Sequence, residues 1–457
     1  MAQRTHLKGG TIVTMDPSLG ILPSGDILIE GGRIAEVAPE IRADGAEVID
    51  ASHRIVLPGL VDTHRHVWQT ALRGIAADWT LKQYMREIRF RRAPIYRPED
   101  IYAGNYVGML EAINAGVTTV FDYAQVMNSP DHAAAELQGL RDSGARVVFG
   151  YGFNEVPLET PYFRTVAERI AHAAELRRKE FSSDGQLVTM AITISDFPIG
   201  GIERAEVELR AARELGLRVS LHTNTWQYPQ RVPEVQVFRE HGLLGPDLLF
   251  VHTNLSTDEE IRLIAESGGA IASTPETEMQ CCMGPAVIGR FMRYGGLPTF
   301  GADIISNQSG DLLVQARLGL QTQRMLDNEP ILKQGRGPET LTLTTRDAFQ
   351  GLTINGAKAL GLDRKIGTLT PGKDADIVLV RTDDINMVPV NDPIAAVLFH
   401  SHPGNVDTVL VAGRIVKRHG ELAADMAKAR RLIAESQAYV LESIRERSTT
   451  PPPGYKA

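Results

Sequence analysis

Hydrophobic and polar positions between about residues 57 and 365 alternate between short β-branched runs and longer amphipathic stretches. The stretches IERAEVELRAARELG and TDEEIRLIAESGG carry apolar residues at helical spacing. Eight alternations of this kind predict a (β/α)8 barrel of the TIM type, an α/β fold whose active site lies at the carboxyl ends of the strands. The eight candidate strands are residues 59–66, 116–123, 145–153, 187–195, 217–224, 247–254, 269–276 and 297–304.

Strand-like runs broken by glycine turns occupy both ends of the chain. Residues 1–56 contain GGTIVTMDP and GDILIEGGRIAEVAP, and residues 366–420 return to the same pattern in GTLTPGKDADIVLVR. Because neither piece can bury its apolar face alone, we predict that the two form one small discontinuous β-sandwich domain. The catalytic barrel would then span residues 57–365, and residues 421–457 would form a C-terminal helix and an irregular tail.

The length and charge of the chain narrow the class of partner. At 457 residues the chain exceeds one ordinary core, but a barrel of about 250 residues plus a smaller module fits. The net charge is −8, the basic residues are dispersed, and no apolar run approaches the roughly 18 residues of a membrane span. Phosphate-binding loops of the GxxxxGK[ST] and GxGxxG types are absent. We expect a small-molecule substrate and neither a nucleic acid nor a membrane partner.

The beginning of the chain and its cysteines bear on the compartment. The first ten residues, MAQRTHLKGG, contain no apolar signal segment. The two cysteines, Cys281 and Cys282, are adjacent and poorly placed to bridge distant segments. No setting that would depress a thiol pKa surrounds them, so we interpret them as packing residues and not nucleophiles. We expect a cytoplasmic protein without disulfides, assembled as a homo-oligomer.

Two histidines stand one residue apart in LPGLVDTHRH, residues 57–66. Because alternate residues of a strand face the same side, His64 and His66 can converge on one metal ion. An isolated HxH pair is equally compatible with two polar residues in a loop. The other strand ends therefore decide between the two interpretations.

Further strand ends supply the rest of a metal shell. His222 ends the fifth candidate strand and Asp303 the eighth. Three imidazoles and one carboxylate around a divalent ion, with a position left for water, form a catalytic arrangement that brings the pKa of that water toward neutrality. We predict that His64, His66, His222 and Asp303 bind one divalent ion, zinc first, with iron, cobalt or manganese as alternatives. His252, at the sixth strand end, could complete the shell, orient the water or contact substrate.

The chain resembles the amidohydrolase superfamily, in the branch of cytosine and S-adenosylhomocysteine deaminases and triazine hydrolases. The resemblance covers nearly the whole length and rests on LPGLVDTHRH, ALRGIAADWTL, LHTN, FVHTNLSTDEE, GADIISNQSGDLL and TINGAKALGLDRKIGTLTPGKDADIVLV. It implies that a metal-activated water attacks an sp² carbon. In barrels of this kind a carboxylated lysine on strand four usually bridges a second ion. The segment LVTMAITISDF has no lysine, which implies one metal ion per chain.

One departure from this resemblance concerns proton transfer. Deaminases of this branch carry H-x-x-E at strand five, whereas HTNT places Thr225 at the glutamate position. Threonine cannot shuttle a proton at neutral pH, so Asp303 remains as a candidate base, with His252 as its partner. Glu276 and Glu278, in STPETEM, could supply the missing acid if that segment is extended and both carboxyls face the pocket. A solvated acidic loop is the alternative.

Several neighbouring residues are candidate substrate contacts. Trp68 follows the histidine pair and could stack on a flat ligand at the barrel mouth, although packing is its commoner use. Asp122 and Asp196 also end candidate strands, the second and the fourth. The predicted substrate-binding residues are Trp68, Gln69, Tyr123, Asn224, Thr225 and Trp226.

These residues favour a mononuclear metal-dependent hydrolase that cleaves a C–N bond, other than a peptide bond, in a small amide, carbamate, urea or N-heterocycle. The alternative within enzymes is an aminohydrolase that releases ammonia from a purine, pyrimidine or triazine-like ring with the help of Glu276 or Glu278. From a different class, the same fold could serve a binding protein that has lost catalysis. The intact set of four metal ligands argues against that class.

Overall fold

The structure is a computed structural model, and it describes residues 4–154, 156–183, 185–225 and 231–445. In these ranges seventeen strands follow one another. They are β1 (Arg4–Val13), β2 (Ile21–Glu30), β3 (Arg33–Ala38), β4 (Glu47–Asp50), β5 (Arg54–Pro58), β6 (Leu60–Arg65), β7 (Val117–Ala124), β8 (Arg146–Gly152), β9 (Val188–Thr193), β10 (Val219–Thr223), β11 (Leu248–His252), β12 (Ala270–Ser273), β13 (Pro298–Phe300), β14 (Ile377–Arg381), β15 (Val406–Val411), β16 (Arg414–Arg418) and β17 (Glu421–Leu422).

Fourteen α-helices lie between and after these strands in the described residues. A 3-10 helix (Val67–Leu72) and a π-helical segment (Met85–Arg92) also follow β6. The α-helices are α1 (Leu81–Tyr84), α2 (Pro98–Asn114), α3 (Pro130–Ser143), α4 (Val166–Glu180), α5 (Phe197–Glu214), α6 (Glu234–Glu240), α7 (Asp258–Glu266), α8 (Pro275–Gln280), α9 (Ile288–Arg293), α10 (Leu312–Leu332), α11 (Thr345–Gly351), α12 (Ile354–Ala359), α13 (Pro393–Ala395) and α14 (Met426–Arg445).

Strands β6 to β13 form a parallel barrel in which each strand pairs with its neighbour in the chain. The barrel closes between β13 and β6, where the backbone amide of Asp303 donates to His64 O (2.9 Å) and that of His66 donates to Asp303 O (2.8 Å). The (β/α)8 prediction is confirmed. Closure places the end of the first barrel strand directly beside the end of the eighth.

Strand periodicity divides the barrel residues into two cores. Val120 and Phe149 belong to the large core between the strands and the surrounding helices. Their neighbours Phe121 and Val148 belong to a smaller core, which also contains Ala357 of α12. Because successive strand residues face opposite sides, both faces of each strand are apolar, as expected for a parallel sheet covered by helices.

Helix α7 lies within a stretch predicted as helical, whereas α5 begins at Phe197, before the predicted stretch IERAEVELRAARELG. In TDEEIRLIAESGG the Thr257 hydroxyl accepts from the backbone amide of Glu260, and the Glu260 carboxylate accepts from that of Thr257. This reciprocal cap starts α7, and Gly268, with a φ of 75°, follows its end. This local cap therefore fixes where the loop after β11 ends and α7 begins.

The terminal segments of the chain form a second, nine-stranded sheet. Its order is β17-β16-β15-β14-β5-β1-β2-β3, and β4 pairs with β1. Strand β5 pairs antiparallel with β14 at the centre, so the N-terminal and C-terminal strands are hydrogen-bonded to each other. A separate apolar cluster, with Leu7, Ile27 and Leu379 among its members, fills this region.

A buried ion-pair network joins the terminal sheet to the barrel. Arg146, the first residue of β8, donates from Nε and Nη2 to the two carboxylate oxygens of Asp376, at 3.0 Å each. Its Nη2 also donates to Asp374 Oδ2 at 2.9 Å. This network lies at the amino ends of the barrel strands, opposite the end where a barrel active site forms.

The helix predicted after the terminal sheet starts later than its periodicity suggests. Residues Glu421–Leu422 pair with β16, and α14 begins at Met426. The Arg97 guanidinium lies 3.5 Å from the ring centroid of Tyr439 and ties α14 to the start of α2. The predicted tail, residues 448–457, lies outside the described residues.

Among the described residues, none of the helices combines the length and apolar composition required to cross a bilayer.

Candidate metal centre and active site

The histidine pair of β6 converges on the aspartate that follows β13. His64 Nε2 lies 3.1 Å from Asp303 Oδ1, and His66 Nε2 lies 3.3 Å from the same oxygen. All three side chains are buried. The barrel closure described above creates this convergence, because it pairs the ends of the first and eighth barrel strands.

Two further histidines lie beside this group at the ends of β10 and β11. One ligand atom from each of His64, His222 and His252 falls within 4.8 Å of the others, and the same holds for His64, His66 and Asp303. The rings of His222 and His252 stack with centroids 5.6 Å apart. The structure therefore brings all four predicted ligands, and His252, to one point at the carboxyl ends of the barrel strands.

The outer nitrogens of two of these rings are held by acceptors. His66 Nδ1 donates to Tyr123 O (3.3 Å), and His222 Nδ1 donates to Asp196 Oδ1 (2.9 Å). Because Nδ1 carries the proton in both rings, the Nε2 lone pairs remain free to bind a metal. Asp196 is thus a residue that positions a ligand.

Burial sets the protonation states of this group. It lowers the pKa of His66 to about 4 and that of His64 well below its ordinary value, because a charged ring would lose its hydration. Burial alone would raise the pKa of Asp303, but its contacts with His64 and His66 and the nearby His252 hold that pKa well below its ordinary value. Neutral imidazoles beside an ionised carboxylate are the donor set that a divalent transition metal requires.

The strand ends adopt backbone conformations that non-glycine residues seldom take. The φ angles are 49° at Asn224, 71° at His252, 58° at Thr253 and 56° at Asp303. Such residues are generally unfavourable by about 1–3 kcal/mol each and persist where the surrounding structure holds them. Their clustering around the metal-binding group is typical of a functional site.

A cavity with an empty volume of about 430 Å³ opens over this group. His66, His222, His252 and Asp303 lie in its wall, as does Thr225. Thr225, which was predicted to contact substrate, therefore lies in the cavity wall. It brings a hydroxyl where the deaminases that the chain resembles carry a carboxylate.

Glu276 and Glu278 do not lie together in an extended segment, and that expectation is wrong. Pro275 can occupy the first turn of a helix without losing a hydrogen bond, and residues Pro275–Gln280 form α8. Glu276 accepts from Gln315 Nε2 (2.8 Å), away from the cavity wall. Glu278 lies behind His252, with its Oε1 3.4 Å from His252 Nδ1, and it also accepts from the backbone amide of Thr274 (2.8 Å).

The other predicted substrate contacts are distributed differently from expectation. Trp68 is fully buried in an apolar cluster, where its ring meets Tyr96 edge-on, and it is absent from the cavity wall. Gln69 donates to Tyr84 Oη and accepts from Ser306 Oγ, so both of its polar ends are used internally. Packing and internal hydrogen bonds therefore account for both residues.

Two more predicted contacts support the site from behind. Tyr123 stacks on His222 with centroids 4.4 Å apart and is buried outside the cavity wall. Asn224 donates to Ser256 Oγ and Glu260 Oε1, which holds the loop after β10. Trp226 lies outside the described residues.

Arg89 and Tyr84 lie in the cavity wall with Met85, and neither was predicted from the sequence. All three come from the segment between β6 and α2. In MREIRFRR, residues 85–92, the arginines suggest a solvated face, yet Arg89 shares the buried side of the turn with Met85 and Ile88. The available signal was the spacing of Arg89, which stands four residues after the apolar Met85 and so shares its face of a helical turn. Cys281 is also buried, and burial raises the pKa of its thiol to about 12.

Comparisons with known proteins agree with this arrangement. The 5-methylthioadenosine/S-adenosylhomocysteine deaminase of Symbiobacterium thermophilum is 27% identical over 433 residues, which cover 91% of this chain and 93% of the relative. An adenosine deaminase from Xanthomonas campestris with bound zinc superposes with a TM-score of 0.85 at 23% identity, over 97% of this chain and 99% of that one. Atrazine chlorohydrolase from Arthrobacter aurescens, in complex with zinc, gives 0.84 at 22% identity, over 95% and 100% of the two chains.

At these identities the two solved structures establish the fold alone. The family comparison goes further, because a model described as "Amidohydrolase family" matches residues 55–416, which include every barrel strand and the five residues of the metal-binding group. The resemblance inferred from the sequence is confirmed, and the chain belongs to the amidohydrolase family.

Proposed function

We propose that this protein uses one divalent metal ion, held by His64, His66, His222 and Asp303, to hydrolyse a C–N bond in a small molecule. The bond is not a peptide bond, and the substrate class is an amide, carbamate, urea or N-heterocycle. Membership of the amidohydrolase family makes the chain an enzyme that acts on carbon–nitrogen bonds. The observation that carries the proposal is the convergence of His64, His66, His222 and Asp303 on one point, with all but His64 in the wall of one cavity.

The residues present fit a metal ion. The buried imidazoles of His64 and His66 are neutral, and the Asp303 carboxylate is ionised. In His66 and His222 the outer nitrogen donates to an acceptor, which leaves Nε2 free. A divalent ion bound there would lower the pKa of a water molecule and polarise the carbon that this water attacks. The strand-four segment lacks the lysine that a second ion would need, which supports one ion per chain.

Proton transfer falls to Asp303 and His252. Asp303 presents Oδ1 to His64 and His66, and its Oδ2 lies 3.9 Å from His252 Nε2. The attacking water could lose its proton to Asp303, and His252 could donate one to the leaving amine. Glu278 and Thr274 contact His252 Nδ1, so they hold the orientation of the ring. Glu278 is therefore a positioning residue and not an acid in the cavity.

Thr225 separates this site from one adapted for ring deamination. Its side chain lines the cavity and cannot carry a proton between a ring nitrogen and a leaving amine at neutral pH. Hydrolysis that needs one base and one modest acid is compatible with Asp303 and His252 alone. This favours an amide, carbamate, urea or activated heterocycle over an aminopurine.

An aminohydrolase that releases ammonia is the second candidate. It is favoured by the names of the relatives, since those cited and others similar to them at 25–29% identity are deaminases of adenosine-type compounds. In that case a group other than Thr225 must protonate the ring, and His252 is placed to do so. A binding protein without catalysis, the alternative from another class, is opposed by the complete ligand set.

The test combines metal analysis with a substrate panel. Purified protein should hold close to one divalent ion per chain, and two tightly held ions would contradict the mononuclear proposal. The metal-loaded protein is then assayed on amides, carbamates, ureas and aminoheterocycles, with ammonia measured separately from other products. Ordinary turnover of an aminopurine would establish the second candidate instead.

Thr225→Glu is the most informative variant for this choice. In a hydrolase it crowds the cavity and lowers native activity, with at most a trace of ammonia release gained. In a deaminase the variant is neutral or improved, because it restores the usual shuttle. Thr225→Gln, of equal size and without the charge, is the matched control for crowding.

Zinc as the physiological ion, a cytoplasmic location and a homo-oligomeric state belong to the same proposal. Zinc is supported by the imidazole-rich donor set and by the ion in the related solved structures. Inductively coupled plasma mass spectrometry of protein from cells grown without metal supplement tests the ion. Light scattering of the purified protein tests the assembly.

A further inference from the structure

The cavity wall contains a buried cation that lacks acceptors. Arg89 is 4% exposed, and within the part of the chain that the structure describes its Nε and Nη1 have no hydrogen-bond partner. A guanidinium always carries its charge, and burying it without acceptors is strongly unfavourable. An arrangement of this kind is retained where a ligand supplies the hydrogen-bond acceptors that the protein lacks.

Arg89 faces the same space as the metal-binding group. It lies in the wall of the cavity with His66, Thr225 and Asp303. Asp196, which accepts from His222 Nδ1, lies in the same wall. With a divalent ion bound, Asp196 and Asp303 would balance that ion, which leaves the Arg89 charge to be balanced by the ligand.

The rest of the wall restricts the kind of ligand. Leu81, Met85, Met283 and Ile304 provide apolar contacts, and the Oε1 atom of Gln125 is buried without a hydrogen-bond partner. One cation matches a monoanion, whereas a phosphate dianion needs more donors, and the Gln125 oxygen can accept only from an N–H or O–H of the ligand. The wall therefore suits a compact ligand with an apolar or planar body and one carboxylate.

We propose that Arg89 binds a carboxylate of the substrate, so that the enzyme acts on small C–N compounds that bear a carboxylate group. The carboxylate binds at Arg89 while the scissile carbon faces Asp303 and His252. The reaction itself rests on the proposed function above, but the carboxylate subsite can be tested without turnover.

The first experiment measures binding of benzoate and of neutral benzamide by calorimetry, with zinc-loaded and with metal-free protein. We expect wild-type protein to bind benzoate in preference to benzamide in both forms. Arg89→Met should weaken benzoate binding about 100-fold, the scale expected for loss of a buried charge partner. Arg89→Lys should recover part of the affinity. Arg86→Met is the matched control, because Arg86 is an exposed residue of the same turn that pairs with Glu87.

Two results would overturn the subsite. Benzoate could bind through the metal alone, in which case affinity disappears on metal removal and survives in Arg89→Met. Alternatively, benzoate and benzamide could bind equally. Misfolding is excluded by thermal melting, since replacing an uncompensated buried charge by methionine should leave the melting temperature equal or higher.

The second experiment offers each member of the substrate panel as a carboxylate and as its primary amide. We expect wild-type protein to prefer the carboxylate, and Arg89→Met to raise KM for that compound about 100-fold while kcat changes little. If wild-type protein turns over both members equally and Arg89→Met affects both alike, the carboxylate proposal fails. If no member is turned over while benzoate binding behaves as expected, the proposed reaction fails and the subsite stands.

Discussion

The two ends of the barrel treat a buried arginine in opposite ways. At the amino ends of the strands, Arg146 is 3% exposed and donates to Asp376 and Asp374 with three hydrogen bonds of 2.9–3.0 Å. At the carboxyl ends, Arg89 is 4% exposed and two of its nitrogens have no partner in the described residues. Arg146 and Arg89 are therefore about equally buried, but their charges differ in how well the protein compensates them.

This difference separates stability from function. A buried charge with all its partners inside the protein contributes to a specific fold, and breaking it is costly because the partners remain. A buried charge without internal partners lowers stability and prepares a surface for a ligand. The left-handed strand ends at Asn224, His252 and Asp303 belong to the same end of the barrel as Arg89. Strain and unpaired charge are thus concentrated at the mouth, and the paired network lies at the opposite end.

The largest effect is expected at the mouth. Asp303→Asn should reduce turnover at least about 1,000-fold and lower the metal content, because it removes a ligand charge and the base, and base catalysis alone contributes about 10²–10⁴-fold. Steady-state kinetics and metal analysis measure the two losses. The variant should melt at or above the wild-type temperature when both are metal-free. Full activity with normal metal content would show that Asp303 has neither role.

The second prediction concerns the ion-pair network at the amino ends of the barrel strands. Arg146→Met should destabilise the protein by about 3–5 kcal/mol, because Asp376 remains as a buried carboxylate, and Asp374 as a half-buried one, without their cation. Activity per folded molecule should be unchanged. Urea unfolding measures the stability, with Arg89→Met as the matched control that should cost nothing. Equal destabilisation by the two variants would remove the contrast between the two ends.

The third prediction concerns the two glutamates of α8. Glu278→Gln should lower kcat about 10- to 100-fold with the metal retained, because Glu278 holds the ring of His252. Glu276→Gln is the matched control and should stay within about 2-fold, since Glu276 bonds to Gln315 outside the cavity. The pH profile of kcat should shift in Glu278→Gln alone. Similar losses from both variants would show that Glu276 also acts in the active site.

The smallest effect concerns pH and a second buried charge at the mouth. Glu234 accepts from the backbone amide of Asn224 (3.1 Å), and burial raises its pKa from 4.5 to about 8. Because the folded-state pKa lies above the unfolded value, this residue's contribution to stability is complete below pH 4.5 and is lost as the pH rises to about 8.

Glu234→Gln keeps an acceptor for Asn224 and does not ionise. The variant should therefore lack this fall and be more stable than wild type at pH 8, with little difference at pH 4.5. Melting temperatures across this range provide the measurement. Parallel curves for the two proteins would show that Glu234 does not ionise within it.

The barrel and its ligands could be predicted because they depend on short-range rules. The short β-branched runs placed every barrel strand within a few residues of its observed bounds, and closure of the barrel makes the ends of the first and eighth strands neighbours. His64, His66, His222 and Asp303 follow from those two rules. The cap of α7 is equally local, since Thr257 and Glu260 are three residues apart.

The residues that the sequence did not reveal depend on loop conformation. Glu276 and Glu278 would share a face in a strand, but Pro275 starts a helix, and the two carboxyls separate toward Gln315 and His252. Arg89 reaches the cavity because the backbone forms a π-helical turn over Met85–Arg92. No pattern in one sequence distinguishes that turn from an ordinary exposed helix, because the surrounding arginines read as solvated.

The central pairing of β5 with β14 has a consequence for how the chain is made. Strand β5 ends at Pro58 and β14 begins at Ile377, so the ribosome adds more than 300 residues between the two partners. At roughly 5–20 residues per second this takes on the order of 15 seconds to a minute. During that time β1 to β5 have emerged without their neighbour, and the edge of β5 is open to other chains. Chaperones that cover exposed strand edges should therefore associate with this nascent chain until β14 appears.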